Sequence, residues 1–97
     1  PWVVVDAAMN DQARPALYDA WHDFVAVEPK GETFVANIVG PICESSDVFG
    51  HARSLPRATA EGGIVLIADA GAYGYSMANT YNLRALPIEE IIHEATA

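Results

Sequence analysis

Thr33-Phe34-Val35-Ala36-Asn37-Ile38-Val39, followed by Gly40-Pro41-Ile42-Cys43-Glu44-Ser45-Ser46-Asp47, reads as a strand that runs out into a polar loop. The first seven residues are rich in β-branched and aromatic side chains, which fit a pleated, half-buried surface. The loop holds the only cysteine of the chain, next to a carboxylate and between turn-formers. Rigid strands often present working loops in this way. Two readings of Cys43 are open at this level. A lone cysteine is a small hydrophobe that packs well in a core. Glu44, Ser45, Ser46 and Asp47 are a poor core sequence, however, and in polar, partly exposed surroundings a cysteine can serve as acid, base or nucleophile.

Outward from this stretch, Trp2-Val3-Val4-Val5 lacks polar alternation and is expected to be a central strand buried on both faces. Asn10 or Asp11 can cap a short helix that has Pro15 in its first turn, with Arg14 and Tyr18 four apart on one side. Trp21 to Val27 is read as a second strand, Glu28-Pro29-Lys30-Gly31 as a turn, and Glu32 to Val39 as a third strand. Phe49 to Gly63 contains Gly50, Pro56, Gly62 and Gly63, and is expected to be an exposed connection. Ile64 to Ala68 is read as a buried strand, Asp69 to Ser76 as a sharp turn, and Ser76 as the cap of a single helical turn. Leu86 to Glu94 fits strand or helix, and strand is preferred. This pattern predicts a mainly β fold, a small antiparallel β-barrel or sandwich of Greek-key-like topology with two very short helices. The loops around Arg14 and Tyr18, around Cys43 and Glu44, and around Tyr73 can converge at one end of it.

Composition narrows the function. The 97 residues make one domain with a single modest core, too small for a barrel of eight strand-helix units. A net charge of -8 argues against a nucleic-acid partner, because little here would neutralise phosphates. No apolar run reaches membrane-spanning length, and no basic segment precedes a cleavage site, so a soluble protein without membrane association is expected. One cysteine excludes an internal disulfide and fits a reducing cytoplasm. His22, His51 and His93 lack metal-ligand spacing, so no metal is expected. A hydrophobic share of 52% predicts that some surface is covered by a partner, and a chain that opens at Pro1 reads as part of something longer.

Three motifs, in order, resemble the C-terminal part of the diaminopimelate decarboxylase family. They are Met9-Asn10-Asp11 with Arg14-Pro15-Ala16-Leu17-Tyr18; Gly40-Pro41-Ile42-Cys43-Glu44 with Asp47; and Asp69-Ala70-Gly71-Ala72-Tyr73-Gly74 with Ser76-Met77 and Tyr81-Asn82. The likeness runs through residues 2 to 95. It implies that residues 1–97 are the single C-terminal β-domain of an alanine-racemase-like enzyme dependent on pyridoxal 5'-phosphate, without the strand-helix barrel domain that precedes it. It also implies a cytoplasmic homodimer whose active site is shared between subunits. By this resemblance Cys43 is the acid that returns a proton to the substrate carbon after carbon dioxide leaves, in the partner subunit's site. Glu44 grips the distal ammonium of the amino-acid substrate, and Arg14 and Tyr18 hold its distal carboxylate. Tyr73 reaches both cofactor phosphate and substrate. Ornithine decarboxylases of the same superfamily resemble this chain less, since an aspartate follows their cysteine and their substrates lack a distal carboxylate. Ala8, where glycine is expected, and Leu83 and Ala85, around Arg84, depart slightly from the pattern.

The resemblance implies decarboxylation of meso-2,6-diaminopimelate to L-lysine by the complete enzyme. Lys30 is the only lysine and lies in Glu-Pro-Lys-Gly-Glu, so the lysine that bonds the cofactor is expected outside this chain. The glycine-rich phosphate loop is missing as well, and the chain alone is expected to be inactive. Two other readings stand beside this one: a non-catalytic β-barrel that acts as an interaction module, and a related decarboxylase of another basic amino acid. On the same residues, Arg14 with Tyr18 also fits a surface cation-aromatic pair, Tyr73 fits an ordinary buried tyrosine, and Asp47 fits a turn cap or an ion pair across a subunit boundary.

Overall fold

The computed structural model describes residues 1–27, 31–57, 59 and 61–93, so the turn expected at Lys30 lies outside the described residues. Five strands and two short helices follow one another as β1 (Trp2–Val4), α1 (Arg14–Tyr18), β2 (Phe24–Ala26), β3 (Thr33–Val39), β4 (Val48–Pro56), β5 (Val65–Ile67) and α2 (Gly74–Met77). A single 3-10 turn, Tyr81–Leu83, comes last. The mainly β expectation with two very short helices holds. Strands β1, β3 and β4 form one sheet in that order, and β2 pairs with β5 in a second. The β3–β4 and β2–β5 pairs are antiparallel, whereas β1 runs parallel to β3. Among the described residues no ladder joins the two sheets into a closed barrel.

The sheets pack as a sandwich. Ile38 of β3 and Phe49 and Leu55 of β4 form the buried centre, and Phe24 of β2 with Val65 and Ile67 of β5 lie against it from the second sheet. In β4, Arg53 and Leu55 point inward and Ser54 outward, as the two-residue period requires. The β3–β4 register slips twice, once between Ala36 and Ile38 and again between Ile38 and Val39. At the first bulge Ala52 takes a φ of 51°, and its N–H donates to Asn37 Oδ1 at 2.9 Å. The extra residues bend the strand and bring Phe49 and Gly50 back to the inner face.

β4 overturns the exposed connection expected at residues 49–63. Gly50 and Pro56 are breakers in an isolated segment. In the fold Pro56 ends the strand, where the lack of a donor costs little, and Gly50 is needed for packing. A Cβ there would stand 2.9 Å from both Arg53 Nε and Phe24 Cε2. The Arg53 side chain is buried, with its guanidinium 3.3 Å from the centroid of Trp21 and 5.0 Å from that of Phe24. Its Nη1 donates to His22 O at 2.6 Å. Burial lowers the pKa of this guanidinium, and the nearby Asp23 partly offsets that effect.

Four other expectations are corrected. β1 is an edge strand, not a central one, with Trp2 67% and Val4 64% exposed. β5 is half-buried on one face only, since Val65 and Ile67 pack against the core while Leu66 points outward from a two-stranded ribbon. The strand read over Trp21 to Val27 is confined to Phe24–Ala26, because Trp21 and His22 turn aside to meet Arg53. Residues 86–93 form neither strand nor helix; Ile88, Ile91 and Ile92 are all exposed, so no packed face selects a period. Replacing Leu55 by alanine should destabilise the fold by about 2–5 kcal/mol through cavity formation, and Ser54→Ala should stay within roughly 0.5 kcal/mol. Denaturant unfolding of the two variants checks this contrast.

Candidate functional site

Strand β3 delivers the chain to Gly40, and one carboxylate shapes the loop beyond it. Asp47 Oδ2 accepts the Ile42 N–H at 2.9 Å, and Oδ1 accepts the Met9 N–H at 2.7 Å. Backbone bonds from Gly40 N to Asp47 O and from Asp47 N to Glu44 O, both 3.0 Å, close the loop on itself. A Cβ at Gly40 would run into the Asp47 carboxylate, so only glycine leaves it room. The buried Asp47 is therefore a turn cap for its own loop and a staple to the loop at residue 9.

Within this frame the Glu44 N–H donates to Ile42 O at 2.8 Å, which closes a three-residue turn centred on Cys43. Consecutive residues of an extended segment face opposite ways, and this turn lets Cys43 and Glu44 share an exposed rim. Both are exposed, with Ile42 tucked beneath them. The buried-hydrophobe reading of Cys43 is thereby excluded for this chain. Glu44 Oε2 accepts a 2.5 Å hydrogen bond from the Tyr81 hydroxyl.

The segment that carries Tyr81 is held from the other side by Asn10. This side chain is fully buried; its Nδ2 donates to Asn79 O at 3.1 Å and its Oδ1 accepts from Arg84 Nε at 2.9 Å. The Asn79 N–H returns to Asn10 O at 2.9 Å. Arg84 also donates to Asp6 O at 2.6 Å and lies 3.7 Å from Asp11. Asp11 Oδ2 accepts from the Ala8 N–H at 2.9 Å. Asn10 and Asp11 thus organise the loop and leave α1 uncapped by any side chain, contrary to expectation: its N-cap is Ala13.

Pro15 stands in the first turn of α1 as expected, and the helix carries Arg14 half-buried and Tyr18 exposed. Among the described residues, Arg14 makes no salt bridge and no cation-aromatic contact with Tyr18. Tyr73 is 69% exposed, not buried, and is the N-cap of α2 with a φ of 62°. A left-handed tyrosine is a strained choice that persists where its surroundings impose it. Behind it Gly74 is buried, and a Cβ there would approach Gln12 Oε1 to 2.8 Å. Gln12 Nε2 lies 3.1 Å from His22 Nε2, and His22 Nδ1 lies 3.0 Å from Ala68 O. A carbonyl can only accept, so Nδ1 carries the proton and Nε2 receives the Gln12 donor. The expected cap at Ser76 is not formed, because α2 already begins at Gly74.

The structure therefore ties the Cys43–Glu44 loop to the Met9–Asp11 loop and to the Asn79–Arg84 segment, with α1 and α2 leading directly out of that knot. Gln12, His22 and Arg84 are residues whose partners sequence reasoning did not supply, Asn10 anchors a loop where a helix cap was expected, and Asp47 fills the turn-cap role that was one of its two readings. Asn10 to Gln12 and Glu44 to Asp47 are polar runs that read equally well as solvated loops, so only their three-dimensional partners disclose the network.

Residues 1–71 match the family described as pyridoxal-dependent decarboxylase, C-terminal sheet domain, and the chain belongs to that family. It is 54% identical over 92 residues to a diaminopimelate decarboxylase of Neisseria meningitidis, covering 94% of this chain and 22% of that protein. Its identity to the Methanocaldococcus jannaschii diaminopimelate decarboxylase is 50% over 86 residues, with coverages of 89% and 19%. The Helicobacter pylori diaminopimelate decarboxylase solved with L-lysine superposes with a TM-score of 0.80 at 46% identity, covering 86% of this chain and 21% of that one. The chain spans about a fifth of the length of the relatives it matches.

Two substitutions test the loop. Asp47→Asn keeps the shape but presents one amide donor to a backbone donor, and should cost about 1–3 kcal/mol, the usual penalty for a buried group left unpaired. Hydrogen exchange at the Ile42 and Met9 amides should accelerate in that variant. Gly40→Ala should weaken the same two amides by pushing the carboxylate aside.

Proposed function

We propose that this chain is the C-terminal domain of a cytoplasmic, homodimeric diaminopimelate decarboxylase that converts meso-2,6-diaminopimelate to L-lysine, and that the chain by itself is inactive. The observation that carries this reading is the exposed Cys43–Glu44 turn, bound to the strand end by Asp47. An exposed thiol on a loop fixed by buried hydrogen bonds can be brought to a substrate with little loss of entropy. The identity to named diaminopimelate decarboxylases supports the substrate, as does the L-lysine bound in the H. pylori enzyme.

The residues divide the work by chemistry. Glu44 offers a carboxylate to the distal ammonium, and Arg14 with Tyr18 offers a cation and a hydroxyl to the distal carboxylate. The carboxylate contact is the one that distinguishes diaminopimelate, since ornithine and lysine also carry a distal ammonium. Cys43 delivers the proton to the carbon that has lost carbon dioxide. Pyridoxal phosphate, when bound, withdraws the electron pair left by that departure. The exposed phenol of Tyr73, on a turn where Gly71 faces open space, fits a contact to its phosphate and to the substrate. The rest of the cofactor site, including its lysine, belongs to the parent enzyme, because Lys30 is the only lysine here and its Glu-Pro-Lys-Gly-Glu setting suits a turn.

An exposed apolar face fits both a domain packed against the rest of a larger enzyme and the alternative of a free-standing interaction module. Trp2, Val4, Ile64 and Leu66 are exposed on the two sheets, and a cleft of about 820 Å³ between those sheets is lined by Trp2, Val4, Phe34 and Ile64. Clustered apolar surface of this kind marks a covered face.

In the full-length protein, carbon dioxide release from meso-diaminopimelate should exceed that from ornithine or lysine; equal turnover of ornithine would overturn the substrate assignment. Cys43→Ala should lower kcat with little change in KM, whereas Glu44→Gln should weaken substrate binding by roughly 1.5–3 kcal/mol, the range of a hydrogen bond to a charged group. Steady-state kinetics separates the two. Mixing Cys43→Ala subunits with subunits lacking the cofactor lysine should restore activity, since one site of each mixed dimer keeps both groups. Confirmed mixed dimers without activity would place Cys43 in its own subunit's site.

A further inference from the structure

We propose that Tyr81 is a positioning residue that sets Glu44 for a cationic ligand; this deepens the reading of Glu44 as the group that meets the substrate's distal ammonium. A glutamate on an exposed rim ordinarily samples several rotamers, and ordering it on binding costs free energy. Here its Oε2 is held by the Tyr81 hydroxyl at 2.5 Å. Oε1 and the remaining lone pairs stay available to an ammonium.

Tyr81 is itself firmly mounted. Its N–H donates to Asn79 Oδ1 at 3.0 Å, and its carbonyl accepts from the Arg84 N–H at 3.3 Å. The residues on either side, Asn79 and Arg84, are both bonded to the buried Asn10. Glu44 is thus fixed from two directions, through its loop by Asp47 and through its carboxylate by Tyr81. The pairing is chemically one-sided. The hydrogen bond to Glu44, and the carboxylate's charge, raise the phenol pKa, so Tyr81 remains a donor throughout the neutral range. An aspartate at position 44 would lose a methylene of reach and with it this bond, so the length of the side chain and the tyrosine work together.

The test uses the full-length enzyme. Tyr81→Phe removes only the hydroxyl and should raise KM for meso-diaminopimelate about three- to tenfold, the scale of one net hydrogen bond, with kcat within about twofold. In a Glu44→Gln background the same substitution should add less than about twofold, because the two residues act as one unit. A merely structural tyrosine would change KM equally in both backgrounds, and that result overturns the proposal. An unchanged KM for Tyr81→Phe beside a raised one for Glu44→Gln overturns the role of Tyr81 alone. If Glu44→Gln leaves KM untouched, the ammonium reading fails and this inference fails with it. As a readout independent of turnover, alkaline absorbance titration should find a tyrosine that ionises late, shifted to lower pH by Glu44→Gln and lost in Tyr81→Phe.

Discussion

The Asp47 carboxylate is the constraint on which the exposed rim depends. It is buried, and each of its oxygens accepts a backbone N–H, one from its own loop and one from the loop around residue 9. A buried carboxylate without partners is costly, and here both oxygens are matched by backbone donors. The same pair of bonds satisfies backbone donors that the irregular segments cannot pair in a sheet. Gly40 is the steric counterpart, because any side chain there would occupy the space of the carboxylate. The chain thereby gains a pinned loop whose outward side chains, those of Cys43 and Glu44, carry no structural duty beyond the contact of Glu44 with Tyr81.

A similar arrangement holds on the opposite side of the knot. Asn10 is fully buried and commits its amide to Asn79 and Ala85 and its carbonyl to Arg84. Gln12 and His22 form a second buried pair beneath Gly74, below the turn that exposes Tyr73. Polar groups buried in this way must be matched nearly completely, which makes the arrangement specific: few other packings would satisfy the same donors and acceptors. The side chains of Cys43, Glu44 and Tyr73 are left exposed while the polar residues behind them are held by hydrogen bonds.

The apolar interior is small by comparison. Ile38, Phe49 and Leu55 form its centre, and the Arg53 guanidinium between Trp21 and Phe24 extends it as a charged but desolvated spacer. Much large apolar surface remains outside, on β1, on β5 and in the cleft between the sheets. Contiguous apolar surface of this kind is characteristic of interaction faces.

The sequence by itself determined the mainly β character of the chain and several of its local elements. The β-branched run Thr33–Val39, the proline in the first turn of α1 and the glycines around Tyr73 are local signals with local physical causes, and all three are legible. The motifs also suffice to place the chain in its family, because reactive residue types are read directly as letters. Tertiary structure decided the rest. Val48–Pro56 departs from its local reading because Gly50 and Pro56 break an isolated strand, whereas here a buried arginine needs the glycine and a strand end tolerates the proline. The parallel placement of β1 at an edge depends on pairing with a strand more than thirty residues away, which no local pattern encodes. The roles of Asn10, Asp47 and Tyr81 rest on partners 69, 38 and 37 residues distant. A polar letter announces that it needs a hydrogen bond, and only the folded chain says with whom.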